Sequence, residues 1–515
     1  MSTTLESVLI SDPVDACCSE LLVRHGIPVT TKYKLTKDEL IKELQKHDGL
    51  IVRSETKVSS EVFAQCPNLR VVGRAGTGVD NIDLQAATRN GAIVLNTPGG
   101  NSISACELTC AFISALARNV AQAVQSLKEG RWERKAYSGC ELQDKTLAVL
   151  GMGRIGREVA RRMQAYGMRV IAFDPLLTSE DASQLGVEKL SLDEIWPRAD
   201  YITVHTPLIP QTKGLINAST LGKCKRGVRI VNVARGGIVD EEALLNALKA
   251  GQCAGAALDV FVEEPPKNAV TLELIAHPKV VATPHLGAST EEAQLRVAEE
   301  IAQQFVALTG KSSEYAITGV VNAPILTAAM SEQNASWIDL SKMLGQLLGR
   351  LLKGKLKGKL IVRAKTVGDS AMREKAFVQT AVLLGILSGQ KTNSGLNLIN
   401  APILAQEMGI NVQGSNEAAD NNALIVEAGG HWIKGTVRGN ESLLLSLDDA
   451  NFAPGIRLGQ HISLYRSSDV HDVAQIVNAL SAKAINLRNL NANGSWTIIE
   501  TDQQVSLTVQ GIETF

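Results

Sequence analysis

Aromatic side chains make up only 4% of the 515 residues, and nowhere do they interleave with basic ones. Stacking surfaces for bases are therefore missing, which argues against nucleic acid as a partner. An excess of either charge is missing too: 52 Lys and Arg face 53 Asp and Glu, so no net field draws the chain to polyanions or to a lipid surface. Long apolar runs are absent. The best candidate, residues 378–387, is interrupted by Gln379, Thr380 and Gly385, and no stretch reaches membrane-spanning length, so no membrane role is expected. The N-terminus, M-S-T-T-L-E-S-V-L-I-S-D, has no basic segment leading into an apolar run, and no secretory signal is read there. The eight cysteines form neither C-x-x-C pairs nor a regular framework. They read as reduced thiols of a cytoplasmic protein; redox activity is an alternative for Cys17-Cys18 and Cys106/Cys110, with buried or bystander thiols the favoured reading. No metal site is read.

What is present is organised around residues 145–175, K-T-L-A-V-L-G-M-G-R-I-G-R-E-V-A-R-R-M-Q-A-Y-G-M-R-V-I-A-F-D-P. Residues 147–150 are an unbroken apolar run, as in a strand covered on both faces. Gly151, Gly153 and Gly156 follow as G-x-G-x-x-G. The first permits a tight turn, the second lets a pyrophosphate approach the backbone, and the third lets helix and strand pack closely. The helix that follows points its N-terminal amides at the phosphates. A second strand over residues 170–173 ends at Asp174, placed to accept hydrogen bonds from an adenosine ribose. A carboxylate there selects NAD over NADP, whose 2′-phosphate would meet a like charge.

The length calls for roughly three or four domains. Before the fingerprint, strands at residues 8–10, 49–52 and 69–72 alternate with a helix over 36–44, the rhythm of an open α/β sheet. Two of those strand ends carry Arg53-Ser54 and Arg74-Ala75-Gly76-Thr77-Gly78-Val79-Asp80-Asn81, and the Gly76-Thr77-Gly78 turn can present amides to an anion. Pro98-Gly99-Gly100 marks a hinge. Asn101 or Ser102 then caps a long helix whose stripe runs through Leu108, Phe112, Leu116, Val120, Val124 and Leu127. Beyond the fingerprint, strands at 201–204, 228–233, 256–259 and 280–283 each end in polar residues, delivering chemistry to one edge of one sheet. His285 is a titratable imidazole at such an end, Glu264 a plausible carboxylate partner, and Arg235, followed by two glycines, can project toward a carboxylate.

V-L-G-M-G-R-I-G, N-V-A-R-G-G, D-V-F-V-E-E-P-P and P-H-L-G-A-S-T, in this order, resemble the NAD-dependent D-2-hydroxyacid dehydrogenases over roughly the first three-fifths of the chain. V-G-R-A-G-T-G-V-D-N, N-T-P-G-G-N-S and W-E-R-K bring it nearest to the members that oxidise 3-phospho-D-glycerate to 3-phosphohydroxypyruvate, the entry to L-serine synthesis. The resemblance implies an α/β fold in which a Rossmann-type NAD-binding domain (residues 99–286) is inserted into a flavodoxin-like substrate domain (residues 1–98 and 287–312). It implies that Arg235 holds the α-carboxylate, that His285 is the acid/base, and that Glu264 orients the imidazole and raises its pKa. Closure of the cleft would bring Arg53 and Gly76 to Gly78 over the nicotinamide. For NAD it adds Thr77, Arg154, Ile155, Thr206, Val233, Asp259, Gly287 and Ala288. For a small phosphorylated 2-hydroxy acid it adds Arg53, Ser54, Arg74, Gly76, Asn101, Arg134 and Lys135, with Arg134 reaching the site of a second subunit in a homodimer or homotetramer. Two other readings stay open here. One is a sister enzyme, a hydroxypyruvate/glyoxylate reductase or D-lactate dehydrogenase. The other is an NAD-sensing corepressor-like scaffold.

Val321-Asn322-Ala323-Pro324-Ile325-Leu326 returns almost unchanged as Ile399-Asn400-Ala401-Pro402-Ile403-Leu404, suggesting two related entries into one α/β domain. Trp337, Leu340, Leu344, Leu347, Leu348 and Leu351 make an amphipathic core helix, and Lys353, Lys355, Lys357 and Lys359 alternate along a strand edge. The C-terminal part resembles an allosteric substrate-binding-like domain (residues 313–455) followed by an ACT-like regulatory one (residues 456–515), both α+β. Ser467-Ser468-Asp469-Val470 lacks an H-x-x-x-P-G-type loop, which argues against serine as a feedback inhibitor.

Overall fold

The computed structural model describes residues 5–514 apart from 324–327, 329–330, 353–358, 374, 376, 389–394, 460, 467–469, 484, 486 and 502–512. Lys353, Lys355, Lys357, Pro324 to Leu326 and Ser467 to Asp469 lie outside the described residues. The chain divides into two compact units. One comprises residues 1–14, 18–96 and 301–515, the other residues 15–17 and 97–300.

The first unit opens with a five-stranded parallel sheet in the order Val29–Thr31, Val8–Ile10, Gly49–Val52, Val71–Arg74, Ile93–Leu95. This is the flavodoxin-like order, in which the chain reverses direction beside its first strand. The central strands are buried throughout, which is why they read as unbroken apolar runs. Thr36 closes a capping box with Glu39 at the start of the helix Lys37–Leu44. Gly73 has Phe305 and Ile301 of the helix Glu291–Leu308 within 3 Å of where a Cβ would stand, so that helix lies directly on the sheet backbone.

The same unit carries a six-stranded sheet, in the order Ile410–Ala418, Leu360–Gly368, Ala423–Ala428, His431–Arg438, Glu441–Leu447, Ala450–Arg457. Its first pair is parallel and the rest antiparallel. The helices Glu332–Leu351 and Phe377–Ser388 cross at two glycines. A Cβ on Gly385 would stand 2.1 Å from the Lys342 carbonyl oxygen, and one on Gly345 2.2 Å from that of Val382. The apolar stretch at 378–387 is thus a buried core helix. The N-A-P repeat is used alike both times: Asn322 Nδ2 donates to the Ala92 carbonyl at 2.9 Å and Asn400 Nδ2 to that of Arg89 at 3.4 Å, both at the end of the helix Leu84–Asn90. A four-stranded sheet, Leu487–Asn493, Trp496–Thr501, Ile462–Arg466, Glu513–Thr514, with the helix Val470–Ala482, makes up the C-terminal α+β module.

The second unit is built on a seven-stranded parallel sheet, ordered Val280–Ala282, Cys253–Leu258, Val228–Asn232, Tyr201–Val204, Thr146–Leu150, Arg169–Phe173, Glu188–Lys189. Strand order reverses between Thr146–Leu150 and Tyr201–Val204, where an open α/β sheet leaves its ligand crevice. Buried clusters cover both faces. The helix expected to run on from Asn101 is instead two, Ser102–Arg118 and Val120–Lys128, bent by 67°. Asn119 takes a left-handed φ of 51° at the break, which asparagine tolerates better than most residues. The stripe divides with it: Phe112 and Leu116 are buried, whereas Val120, Val124 and Leu127 are exposed. Among the described residues no single helix is long and apolar enough to cross a membrane.

Candidate active site

Each glycine of the fingerprint has a separate physical reason. Gly151 turns at φ +100° with the His205 carbonyl 2.6 Å from a would-be Cβ, and a Cβ on Gly156 would stand 2.0 Å from the Gly151 oxygen. Over Gly153 nothing lies within 4 Å. A dinucleotide pyrophosphate fits there, in open space at the start of the helix Arg154–Ala165. Asp174, at the end of the strand Arg169–Phe173, is engaged by two backbone N–H groups. Its Oδ2 accepts from Met152 N–H at 2.7 Å and its Oδ1 from Leu176 N–H at 2.8 Å, so it ties down the glycine loop. Arg154 donates to the Pro98 carbonyl at 3.2 Å. The Thr206 hydroxyl is buried with no partner among the described residues, the mark of a group awaiting a ligand. Val233 and Ile155 line the same sheet edge as buried and partly buried apolar groups.

The imidazole and its carboxylate meet as expected: His285 Nδ1 lies 2.7 Å from Glu264 Oε2, with both side chains partly open to solvent. Glu264 Oε1 accepts from the Phe261 N–H at 3.0 Å. Burial pushes the Glu264 carboxyl up, but the His285 and Phe261 bonds and the charges of His285 and Arg235 outweigh it and leave it below its usual range. Nδ1 must therefore carry the proton in that bond, which leaves Nε2 with the basic lone pair.

His285 adopts φ +57°, unusual for a residue with a side chain. Asp259 holds that turn. It is fully buried and accepts from Leu286 N–H at 2.7 Å, Gly287 N–H at 2.8 Å and the Thr283 hydroxyl, while its carbonyl accepts from His285 N–H at 2.9 Å. Ala288, one residue on, accepts from Gln294 through its carbonyl. Arg235 sits in a comparable clamp: Asn232 donates to the Arg235 carbonyl at 2.8 Å and accepts from Ala234 N–H at 3.0 Å. Gly236 is forced, since a Cβ would stand 1.9 Å from the Phe261 oxygen.

In the first unit, Arg53 and Arg74 end adjacent strands. Arg53 Nε is buried with no hydrogen-bond partner among the described residues. Burial pulls the guanidinium below its usual range, opposed by the carboxylates of Asp12 and Glu55. Arg74 Nη1 lies against Gly76, 2.6 Å from where a Cβ would stand, and the Thr77 carbonyl accepts from Asn96 at 2.6 Å. Ser54 is exposed at the same loop. In the second unit Asn101 is the N-cap residue without a side-chain capping bond. Arg134 and Lys135 are exposed and form no ion pair among the described residues, while their neighbour Glu133 is engaged by Ser126 and Arg131. The sequence does not single out Asn232 or Asp12, and it marks Asn81 only as the last residue of the stretch that begins at Arg74. The signal for Asn232 and Asp12 was an Asn or Asp one or two residues from a strand's carboxyl end, where its side chain can cap loop amides. Among the described residues no group of His, Cys, Asp and Glu could hold a metal ion.

Residues 110–287 match the family model for the D-isomer specific 2-hydroxyacid dehydrogenase NAD binding domain, and residues 334–438 that for the D-3-phosphoglycerate dehydrogenase intervening domain. The D-3-phosphoglycerate dehydrogenase of Rattus norvegicus is 48% identical over 475 residues, covering 90% of this chain and 87% of that one. The chain belongs to the D-3-phosphoglycerate dehydrogenase family. The Bacillus subtilis D-3-phosphoglycerate dehydrogenase is 44% identical, over 75% of this chain and 73% of that one. A D-lactate dehydrogenase from Aquifex aeolicus, solved with NAD and lactic acid, superposes with a TM-score of 0.55 at 27% identity, covering 61% of this chain and all of that one. The intervening-domain match lies largely in the part of the chain beyond such a catalytic unit, so it favours the phosphoglycerate enzymes over the sister dehydrogenases. Residues 110–287 are the NAD-binding part of a phosphoglycerate dehydrogenase-family chain.

Proposed function

We propose that the chain oxidises 3-phospho-D-glycerate to 3-phosphohydroxypyruvate with NAD, the first step of L-serine synthesis, as a cytoplasmic homodimer or homotetramer. The observation that carries this is the 2.7 Å His285–Glu264 couple at the carboxyl edge of the NAD-type sheet, in a chain 48% identical to a D-3-phosphoglycerate dehydrogenase. Gly151, Gly153, Gly156, Arg154, Ile155, Asp174, Thr206, Val233, Asp259, Gly287, Ala288 and Thr77 would hold NAD, which supplies the acceptor for the C2 hydride. His285 Nε2 takes the C2 hydroxyl proton as the C2–H bond breaks and the carbonyl forms, and Glu264 fixes the ring and stabilises the resulting imidazolium. Arg235, whose Nη1 donates to the Ala234 carbonyl at 2.7 Å, holds the substrate carboxylate through its guanidinium. Arg53 and Arg74 take the phosphate, the buried unpartnered Nε of Arg53 gaining most from an anion. Asn101, Ser54, Gly76, Arg134 and Lys135 complete the substrate set, Arg134 and Lys135 from a second copy. The eight free thiols suit a reducing compartment.

Specificity constants for 3-phospho-D-glycerate, D-glycerate and D-lactate, measured side by side, test the reading. The phosphorylated acid is expected to be preferred by about 100-fold or more, as for a charged group recognised by two guanidinium ions. Equal or reversed preference would make the chain a sister dehydrogenase.

A further inference from the structure

Asn81 gathers the whole phosphate-side loop onto one side chain. Its Oδ1 accepts from Arg74 Nε at 3.0 Å, while its Nδ2 donates to the Arg53 carbonyl at 2.7 Å and to the Thr56 carbonyl at 2.7 Å. Its own backbone carbonyl accepts from Val58 N–H at 2.8 Å. The amide orientation has no alternative, because a guanidinium can only donate and the two carbonyls can only accept. The donors of the same loop go the other way, to Asp12. That buried carboxylate accepts from Arg53 N–H at 2.6 Å, Thr56 N–H at 3.1 Å and the Thr56 hydroxyl. The loop after the strand Gly49–Val52 is thus fixed from both sides: Asp12 takes its N–H groups, and Asn81 takes its carbonyls.

Of these two anchors, Asn81 is the one that reaches a second cation among the described residues. Arg53 and Arg74 leave adjacent parallel strands, and nothing in strand pairing sets the directions of two long side chains beyond their ends. We infer that Asn81 is a specificity-determining positioning residue. It sets the spacing between the Arg53 loop and the Arg74 guanidinium and so makes the pair a phosphate site rather than two independent surface charges. Arg74 is held by Asn81 on Nε, and its Nη1 occupies the space that a side chain at Gly76 would fill. The inference rests on the proposal that Arg53 and Arg74 take the substrate phosphate.

The experiment measures kcat/KM for 3-phospho-D-glycerate and for D-glycerate, the same acid without its phosphate, in wild type, Asn81→Ala, Asn81→Asp and Arg74→Ala, with a melting curve for each. Loss of the clamp is expected to lower the phosphorylated-to-unphosphorylated ratio by about tenfold to a hundredfold in Asn81→Ala, through KM for the phosphorylated acid. Asn81→Asp keeps the acceptor for Arg74 but sets an anion against two carbonyls and the incoming phosphate. It is expected to lower the ratio at least as far, and it gives the readout if the alanine variant does not fold. A purely structural Asn81 would lower both constants together and leave the ratio where it was, which would overturn the inference. If Arg74→Ala itself leaves the ratio unchanged, the phosphate assignment fails instead, and the inference with it.

Discussion

His205 shows how a side chain outside the chemistry constrains the cofactor site. It ends the strand Tyr201–Val204, its carbonyl lies beneath Gly151, and its Nε2 is 3.0 Å from the Thr203 hydroxyl. Some of its surface is exposed, yet the ring is surrounded by protein, and burial pulls its pKa down to about 4 from the ordinary 6.5. The neutral ring is the one that fits. As pH falls below 6.5 the unfolded chain takes up the proton first, so folding loses up to about 1.4 kcal/mol per pH unit until pH approaches 4. Urea midpoints at pH 7, 5.5 and 4.5 check this. Wild type should lose more stability on acidification than His205→Gln, and parallel losses would remove His205 from the account. By contrast, the free-energy value of the His285–Glu264 couple lies in geometry, since both groups are partly exposed and an exposed ion pair adds little to stability.

The elements that deliver these residues were largely visible as sequence. Mostly apolar runs that lead to His205, Arg235, Asp259 and His285 and give way to polar residues there read as strands, and the structure pairs all of them in parallel. What was not visible was conformation that leaves hydrophobic period intact. The stripe from Leu108 to Leu127 keeps its helical spacing across Asn119, so periodicity alone joins two helices that a single left-handed residue separates. The antiparallel strands between Ala423 and Arg457 were missed for a related reason, because half-buried alternation is weaker than an unbroken run. Gly345 and Gly385 gave no local sign of their role, since the backbone they admit comes from the other helix. Gly385→Val should cost about 1–3 kcal/mol, as overpacking does, because its side chain has no path past the Lys342 carbonyl. Thermal unfolding followed by circular dichroism would show the loss, and an unchanged midpoint would mean that the two helices can move apart freely.

Across the whole molecule, the candidate residues fall in both compact units: Arg53, Arg74 and Thr77 in one, and Arg235, Glu264, His285 and the fingerprint glycines in the other. Apart from the short segment Asp15–Cys17, the chain passes between the units near Asn96 and again near Ile301. The helix Val120–Lys128 exposes Val120, Val124 and Leu127, and Trp132 follows at 77% exposure with Arg134 beside it. An apolar surface next to unpaired cations suits the proposed second copy. Beyond residue 330, the intervening-domain match over residues 334–438 covers the first four strands of the six-stranded sheet in chain order.

The central claim is that one imidazole, oriented by one carboxylate, removes the C2 proton of 3-phospho-D-glycerate while NAD accepts the hydride. It is tested most directly by NADH formation at 340 nm from 3-phospho-D-glycerate and NAD, with the keto product removed as it forms, in wild type and in His285→Asn. Wild type should produce NADH, and the variant should fall by about 10²- to 10⁴-fold in kcat/KM, the usual contribution of a general base, while keeping its affinity for NAD. No NADH from the wild-type chain, or undiminished turnover by His285→Asn, would contradict it.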